Sequence, residues 1–453
     1  MRPAPVTVIG AGPAGSLLGI FLARRGFTPT LYERRPDMRR TSIAAGRSIN
    51  LALADRGIHA LERAGVLQAV RPLMIPMRGR LLHDEAGATS LQRYGQDDTE
   101  VIYSVSRGEL NKLLMSEFER AGGVPIRFGE NCRGADFERG VITMRDEESG
   151  ATRELDSVPV VGADGAGSAL RDSMVLSGLA SATEDVLSHS YKELSIAAGA
   201  GGRHQLETHA LHIWPRGGFM LIALPNTDGS FTATLFLPAS GAPSFASLDS
   251  PRAVTDFFAR HFADVLPLIP DLEEDFFSHP TGTMITVRCA PWRVNGKLLL
   301  IGDAAHGIVP FHGQGMNCAF EDCARLDALL DRHESWDPLF AGFERERKPN
   351  ADAIATMALE NYIEMRDTVR HPKYQLQKEL SLELERRFPA RFIPRYSMVM
   401  FHHEIPYATA FERGLVQQKI LDELCAGSEA IEEVDWNQAA RLVHARLPPL
   451  EAS

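Results

Sequence analysis

The sequence predicts a mixed α/β (α+β) chain built in three parts. Three observations predict it. A glycine turn, Gly10-Ala11-Gly12-Pro13-Ala14-Gly15, lies between an apolar run at 6–9 and a helical segment at 16–25. From about 187 to 238 the texture changes to short β-rich runs, HALHIWPR, FMLIALPN and FTATLFLP, broken by Gly, Pro and Asn. Beyond about 336 the pattern is mostly helical to the end, with turns near Pro372, Pro389 and Pro406.

The N-terminal elements follow one another as strand, glycine turn, helix, strand and acid, because a second strand at 28–32 ends at Glu33. This is a Rossmann-like βαβ unit, and the acid stands at about the 20-residue distance such a unit uses to hold a ribose hydroxyl. Gly10 permits the tight turn, Gly12 lets a pyrophosphate approach the backbone, and Gly15 lets helix and strand pack closely. A helix over 110–121 follows Ser104-Val105-Ser106-Arg107. A buried-type strand at 158–161 runs into Gly162-Ala163-Asp164-Gly165-Ala166-Gly167-Ser168, with Arg171 just beyond. The β-rich runs of 187–238 read as a meander in a separate antiparallel sheet, and 257–270 as helix. A hydrophobic strand at 297–301 leads directly into GDAAHGIVPFHGQGMN, residues 302–317. There an acid, Asp303, precedes a second glycine turn, Gly313-Gln314-Gly315, whose backbone N–H groups at a helix start favour an anion or an electron-rich ring edge. Two distant segments suited to one long cofactor imply that the chain folds back around it.

Composition bounds the function. With 453 residues the chain exceeds one ordinary domain, and 44% apolar with 24% charged residues is globular usage. A net charge of −11 argues against nucleic acid as a partner. The five cysteines, Cys132, Cys289, Cys318, Cys323 and Cys425, form no CxxC pair, which argues against a disulfide framework or a zinc site and fits a reducing cytoplasm. The paired His402-His403 and the scattered acids have no metal-ligand spacing, so no metal is expected. A strand beginning near Val6 leaves no room for a signal peptide, and no apolar run approaches the ~20 residues that span a bilayer. A cytoplasmic protein is expected.

The order GAGPAG, GADGAGSALR, then GDAAH with GQGMN resembles the single-component FAD-dependent aromatic hydroxylases, whose fold is shared with para-hydroxybenzoate hydroxylase. Further segments sharpen the resemblance: GRSINLALADRG (46–57), IPMRGRLLHD (75–84), RYGQ (93–96), YSVSRGELN (103–111), YKEL (191–194), HIWPRG (212–217), VPFHGQGMNCAFEDC (309–323), ENYIEMRD (360–367) and FIPRYSMV (392–399). Together they are similar to the kynurenine 3-monooxygenase family, in its bacterial form without a C-terminal membrane anchor. The resemblance implies an FAD-binding domain made of 1–75 with 100–180 and 280–335. It implies a substrate-binding sheet domain of 76–99 with 181–279, and a helical region of 336–453. It implies hydroxylation of L-kynurenine to 3-hydroxy-L-kynurenine through a flavin hydroperoxide, in the kynurenine pathway of tryptophan degradation. FAD is then the bound cofactor, NADPH a transient co-substrate and O2 the oxidant. A monomer or homodimer is expected. The alternative is a hydroxylase of the same fold acting on another aromatic acid, such as a salicylate-like substrate.

Carried onto this sequence, the resemblance puts Gly10, Gly12, Gly15, Glu33, Arg34, Arg107, Asp164, Asp303, Met316 and Asn317 at FAD. Arg80 and Tyr94 would hold the substrate carboxylate, a fork and a directional phenol suited to it, with Asn361 and Tyr396 as further polar contacts. Leu211, Leu224, Phe236, Pro310, Phe311 and Met365 would wall the aromatic ring. No side chain needs to act as a nucleophile or acid, because the ring amine already activates the neighbouring carbon. His312 is expected to be a structural or hydrogen-bonding neighbour of the flavin rather than a base.

Overall fold

A computed structural model describes residues 1–40, 50–122, 124–156, 159–368 and 371–450. Val158, and residues 46–49 of the GRSINLALADRG segment, lie outside the described residues.

A six-stranded sheet runs in the order Arg293–Val294, Leu298–Leu300, Val160–Gly162, Pro5–Ile9, Thr28–Glu33, Arg127–Phe128. All neighbours are parallel except the first pair. Its strands read as continuous apolar runs because helices cover them: Val8, Leu31, Val161, Leu299 and Leu300 are fully buried. Helix Pro13–Arg24, opened by a proline in its first turn, packs on helices Arg107–Gly122 and Gly315–Leu330. The register sets Ile9 beside both Tyr32 and Gly162, and Gly162 beside Leu300. The turns after three adjacent strands, at Gly10, Gly162–Asp164 and Gly302–Asp303, therefore emerge at one sheet edge. Ligands of open α/β sheets bind at such carboxyl ends.

A seven-stranded sheet runs Gly282–Ala290, Ser181–Ile196, Phe231–Pro238, Met220–Pro225, Leu211–Pro215, Gly79–His83, Thr89–Arg93. It departs from the expected antiparallel meander in one place. Leu211–Pro215 pairs parallel with Gly79–His83, with Leu211 opposite Arg80. These strands come from distant segments, so no hairpin dictates their direction. Gly282–Ala290, grouped by the sequence reading with the nucleotide-binding part, is an edge strand of this sheet. The strand expected from 187 starts at Ser181, and the helix expected over 257–270 is Pro251–His261, followed by a short 3-10 turn at Leu266–Leu268. Two small sheets were not anticipated: Glu130–Asp136 with Val141–Asp146 and Thr152–Asp156, and Asn50–Leu53 with Ile102–Ser106 and Ile75–Met77. The C-terminal part is helical as the pattern suggests, with helices Trp336–Ile363, Pro372–Arg387, Arg395–Phe401, Tyr407–Leu424 and Trp436–Arg446. A π-helical turn, Glu364–Thr368, ends the first of them. Among the described residues no helix is long and apolar enough to cross a membrane.

Candidate functional site

One cavity of about 460 Å³ extends from the sheet edge with the three turns to the inner face of the seven-stranded sheet. Gly10, Gly12, Glu33, Arg34, Arg107, Asp164, Asp303 and Met316 line one end. Arg80, Tyr94, Tyr396, Leu211, Leu224, Phe236, Pro310, Phe311, His312 and Met365 line the other. The long segment 302–317 brings its acid to the first end and Pro310-Phe311 to the second.

Gly10 has φ +97, and a side chain there would meet the Ala163 carbonyl at 2.4 Å. Gly12 is the N-cap of helix Pro13–Arg24 with no side-chain cap, and a Cβ on it would meet no protein atom within 4 Å. Unsatisfied helix-start N–H groups thus face open space, an anion site in the making. Glu33 is buried. It accepts from the Ala11 N–H at 3.1 Å and from Arg35 at 3.0 Å, so the acid braces the glycine turn it faces. One buried oxygen of Asp164 has no hydrogen-bond partner, and burial pushes this carboxyl above its ordinary range.

Two expected cofactor residues do not line the cavity. At Gly15 a Cβ would lie 1.9 Å from the Gly10 carbonyl oxygen, so this glycine serves helix–strand contact. Asn317 is fully buried: its amide donates to the Ala52 and Gly313 carbonyls at 2.8 Å, and its oxygen accepts from the Ala54 N–H at 2.9 Å. It fastens the glycine turn to strand Asn50–Leu53.

At the other end Arg80 is 3% exposed. Its guanidinium donates to Glu364 at 3.1 Å and to Asn361 Oδ1 at 3.3 Å, and lies 5.1 Å from the Tyr396 ring centroid. Burial opposes its charge, but the Tyr396 and Glu364 side chains keep it firmly cationic. The Tyr94 hydroxyl is buried without a hydrogen-bond partner. Tyr396 stacks between Tyr94 and His312, with centroids 5.5 Å away on each side. Asn361 does not line the cavity. Its amide donates to the Phe311 carbonyl at 2.6 Å, so it ties Arg80 to the Pro310–His312 turn. Phe311 is held between Tyr362 at 4.0 Å and Phe236 at 4.9 Å. Burial pushes His312 down to about 4, leaving a neutral imidazole at neutral pH.

Sequence reasoning missed several lining residues. Met220 and Ile222 precede Leu224 by four and two on one strand, and Thr234 precedes Phe236 by two. The period of two places each set on one face and would have found them. Glu130, Asn131 and Cys132 come from the unanticipated sheet, and Glu364 of the π-helical turn, though not on the cavity wall, is the acid that holds Arg80 from behind.

Behind the Gly302 turn lies a buried ion network. Asp322 accepts from the Gly302 N–H at 3.0 Å, from His306 Nε2 at 2.7 Å and from Arg347 Nε at 2.7 Å. His306, Asp322 and Cys318 lie close enough to hold a cation, but the Arg347 guanidinium already donates to both Asp322 and Cys318. Burial raises the Asp322 carboxyl, yet His306 and Arg347 outweigh it and hold the group below its ordinary value. Its stabilisation is therefore complete above the unfolded-state pKa near 4 and lost as pH falls through the lower folded value. Asp322→Ala is expected to cost about 2–3 kcal/mol, because it leaves the buried Arg347 guanidinium with Glu321, 2.9 Å away, as its one remaining carboxylate and takes the acceptor from the Gly302 N–H. Denaturant unfolding at pH 7 measures this, and a loss below about 1 kcal/mol would refute the network's role.

Comparison with known proteins follows the same lines. The FAD binding domain family model matches residues 3–358. A kynurenine 3-monooxygenase from Myxococcus xanthus (strain DK1622) is 50% identical over 448 residues, covering 99% of this chain and 96% of that protein. One from Stenotrophomonas maltophilia (strain K279a) is 48% identical over 450 residues, covering 99% and 98%. Among solved structures, 2-methyl-3-hydroxypyridine-5-carboxylic acid oxygenase aligns with TM-score 0.66 at 22% identity, over 82% of this chain and 95% of that one. Klebsiella pneumoniae HpxO, complexed with FAD and uric acid, aligns with TM-score 0.62 at 18% identity, over 80% and 89%. At these identities the structural likeness speaks for the fold alone. With the cofactor-type turns at one sheet edge and relatives matched over nearly the whole chain, the chain belongs to the kynurenine 3-monooxygenase family of FAD-dependent hydroxylases.

Proposed function

We propose that this protein hydroxylates L-kynurenine to 3-hydroxy-L-kynurenine, with FAD bound in the cavity, NADPH as reductant and O2 as oxidant. One observation carries the substrate assignment. A buried cation, Arg80, and a buried phenol without a hydrogen-bond partner, Tyr94, stand together on the wall of a cavity lined beside them by apolar side chains. That pair suits the carboxylate of an amino acid whose aromatic ring fills the apolar slot beside it.

FAD fits the opposite end. The open helix start at Gly12 suits a pyrophosphate, and the orphaned Asp164 oxygen needs a donor that the protein does not provide. Gly10, Gly12, Arg34 and Arg107 would meet the adenosine and pyrophosphate, Asp164 and Asp303 the polyol, and Met316 the ring system. Gly15, Glu33 and Asn317 would hold the turns in shape. Once reduced by NADPH, the bound cofactor supplies the oxygen-transfer chemistry.

The chain's own residues bind, orient and keep water out. Arg80 and Tyr94 fix the carboxylate, and Tyr396 closes over both. The Phe311 ring, clamped by Tyr362 and Phe236, fixes one wall of the slot, while Leu211, Leu224, Pro310 and Met365 complete it. The substrate's ring amine makes its neighbouring carbon electron-rich without a base, which matches a neutral His312. His312→Gln is accordingly expected to leave the pH profile of kcat between 5 and 8 without a shifted inflection. A displaced inflection would make the imidazole a proton carrier.

NADPH oxidation should accelerate on adding L-kynurenine, with a product heavier by one oxygen. A salicylate-like acid should do neither, because it lacks the amino-acid group. Failure of kynurenine to accelerate the oxidation, or acceleration without that product, overturns the proposal.

A further inference from the structure

Arg56 is 1% exposed and does not line the cavity, yet it is among the most heavily bonded side chains in the protein. It is the second residue of helix Asp55–Arg63. Its guanidinium donates to five backbone carbonyls at the end of helix Arg395–Phe401 and the turn beyond. These are Val399 at 3.3 Å, Met398 at 3.4 Å, His402 at 3.2 Å, His403 at 3.3 Å, and Ile405. It also donates to Glu321 at 3.1 Å and lies 3.9 Å over the Tyr407 ring.

The chemistry of that helix explains the investment. Seven residues make two turns, too few to hold themselves in water. The last four carbonyls of any helix lack intrahelical partners and carry its negative dipole end. A buried guanidinium supplies donors and opposite charge at once. Tyr396 is the second residue of this two-turn helix, where its ring separates Tyr94 from His312. A second strut runs beside it, since the Tyr407 hydroxyl donates to Gln314, whose amide donates to the Met400 sulfur at 2.9 Å. At its other end Arg56 is pinned to the cofactor side, because Ala54, its near neighbour, donates to Asn317.

We propose that Arg56 is a positioning residue for substrate binding: it sets the placement of Tyr396 by capping the helix that carries it, and so indexes the substrate wall to the cofactor-side turn. The inference rests on the functional reading above for its ligand, kynurenine.

The test compares Arg56→Lys and Arg56→Met in two backgrounds, wild type and Tyr396→Ala, each as holoenzyme. Kynurenine affinity is read from the flavin absorbance change on titration. The lysine keeps the charge but loses the fork. In the wild-type background Arg56→Lys is expected to weaken kynurenine binding about tenfold, with flavin content retained. In the Tyr396→Ala background the same substitution should weaken it less than about twofold, because the group being positioned is gone. Equal losses in both backgrounds would make Arg56 a general structural residue and overturn the proposal, as would an unchanged affinity in the wild-type background. If Arg56→Met fails to fold, the lysine variant alone decides. Amide exchange gives a ligand-free reading: residues 396–405 should exchange faster in Arg56→Lys while residues 5–24 do not. Should wild-type protein fail to bind kynurenine, the functional reading falls, and this exchange pattern still judges the capping. Uniform or absent acceleration refutes it.

Discussion

Replacing Arg80 with Met is expected to weaken kynurenine binding by about two orders of magnitude or more while the protein stays yellow. Truncating one member of a buried, hydrogen-bonded charge pair costs about 2–5 kcal/mol of binding, and the carboxylate would meet only the Tyr94 phenol. The cofactor end lies at the other extreme of the cavity and shares no contact with Arg80, so flavin content should hold. The variant also carries a pH signature. In the intact protein burial raises Glu364, but Arg80 and the Tyr374 hydroxyl, 2.6 Å away, outweigh it and keep the carboxyl below its ordinary value. That stabilisation is present above the unfolded-state value near 4.3 and is lost as pH falls through the folded one. Without Arg80 only the Tyr374 hydroxyl and the Lys378 ammonium still oppose burial, so the folded value rises and the stability gained as pH increases shrinks. Unfolding curves at pH 4 to 8 would show a shallower slope than wild type. Unaltered kynurenine affinity in this variant would remove Arg80 from the site.

Gly15→Ala is expected to yield colourless protein of sharply reduced stability. Its methyl would sit 1.9 Å from the Gly10 carbonyl oxygen, and both partners are backbone, so neither side can rotate away. Relief requires moving helix Pro13–Arg24 off the sheet, at a cost of about 3 kcal/mol or more. Gly12→Ala makes the instructive contrast. Its methyl meets no protein atom within 4 Å, so the apoprotein should melt as wild type does. It would nonetheless occupy the space at the helix start, and FAD should bind about a hundredfold more weakly. The two variants thus separate a glycine needed for the fold from one needed for the ligand. Thermal melts of apoprotein, with flavin titrations, read both quantities. A Gly15→Ala protein that melts normally and binds FAD would refute the packing argument.

Short-range chemistry was legible in the sequence, and long-range partnership was not. The turns at Gly10, Asp164 and Asp303 could be read because strand, glycine and acid follow one another within a few residues. Their convergence follows from three strands lying side by side. The parallel pairing of Leu211 with Arg80 could not be read, because nothing local joins those segments. Glu364, which holds Arg80, was invisible for the same reason. Asn317 and Asn361 were placed at the ligands because their segments belong there. Both are buried in the layer behind, where an amide can donate and accept at once and so ties two backbones together. Strand Thr152–Asp156 escaped notice because three of its five residues are charged and most of it is exposed.

Helix Trp336–Ile363 carries Arg347, which grips the acid behind the Gly302 turn, and Asn361, which grips Arg80. A continuous α-helix, here with Pro349 inside it, fixes both the separation and the relative bearing of two such residues, at about 1.5 Å and 100° per residue. One inserted or deleted residue between 348 and 360 would swing Asn361 a quarter-turn or more away from Arg80, whatever its identity. That stretch is then fixed in length, on top of the size its buried face of Ala351, Ile354, Met357 and Ala358 demands, and the π-helical turn that follows is where the chain can absorb an extra residue without disturbing either grip.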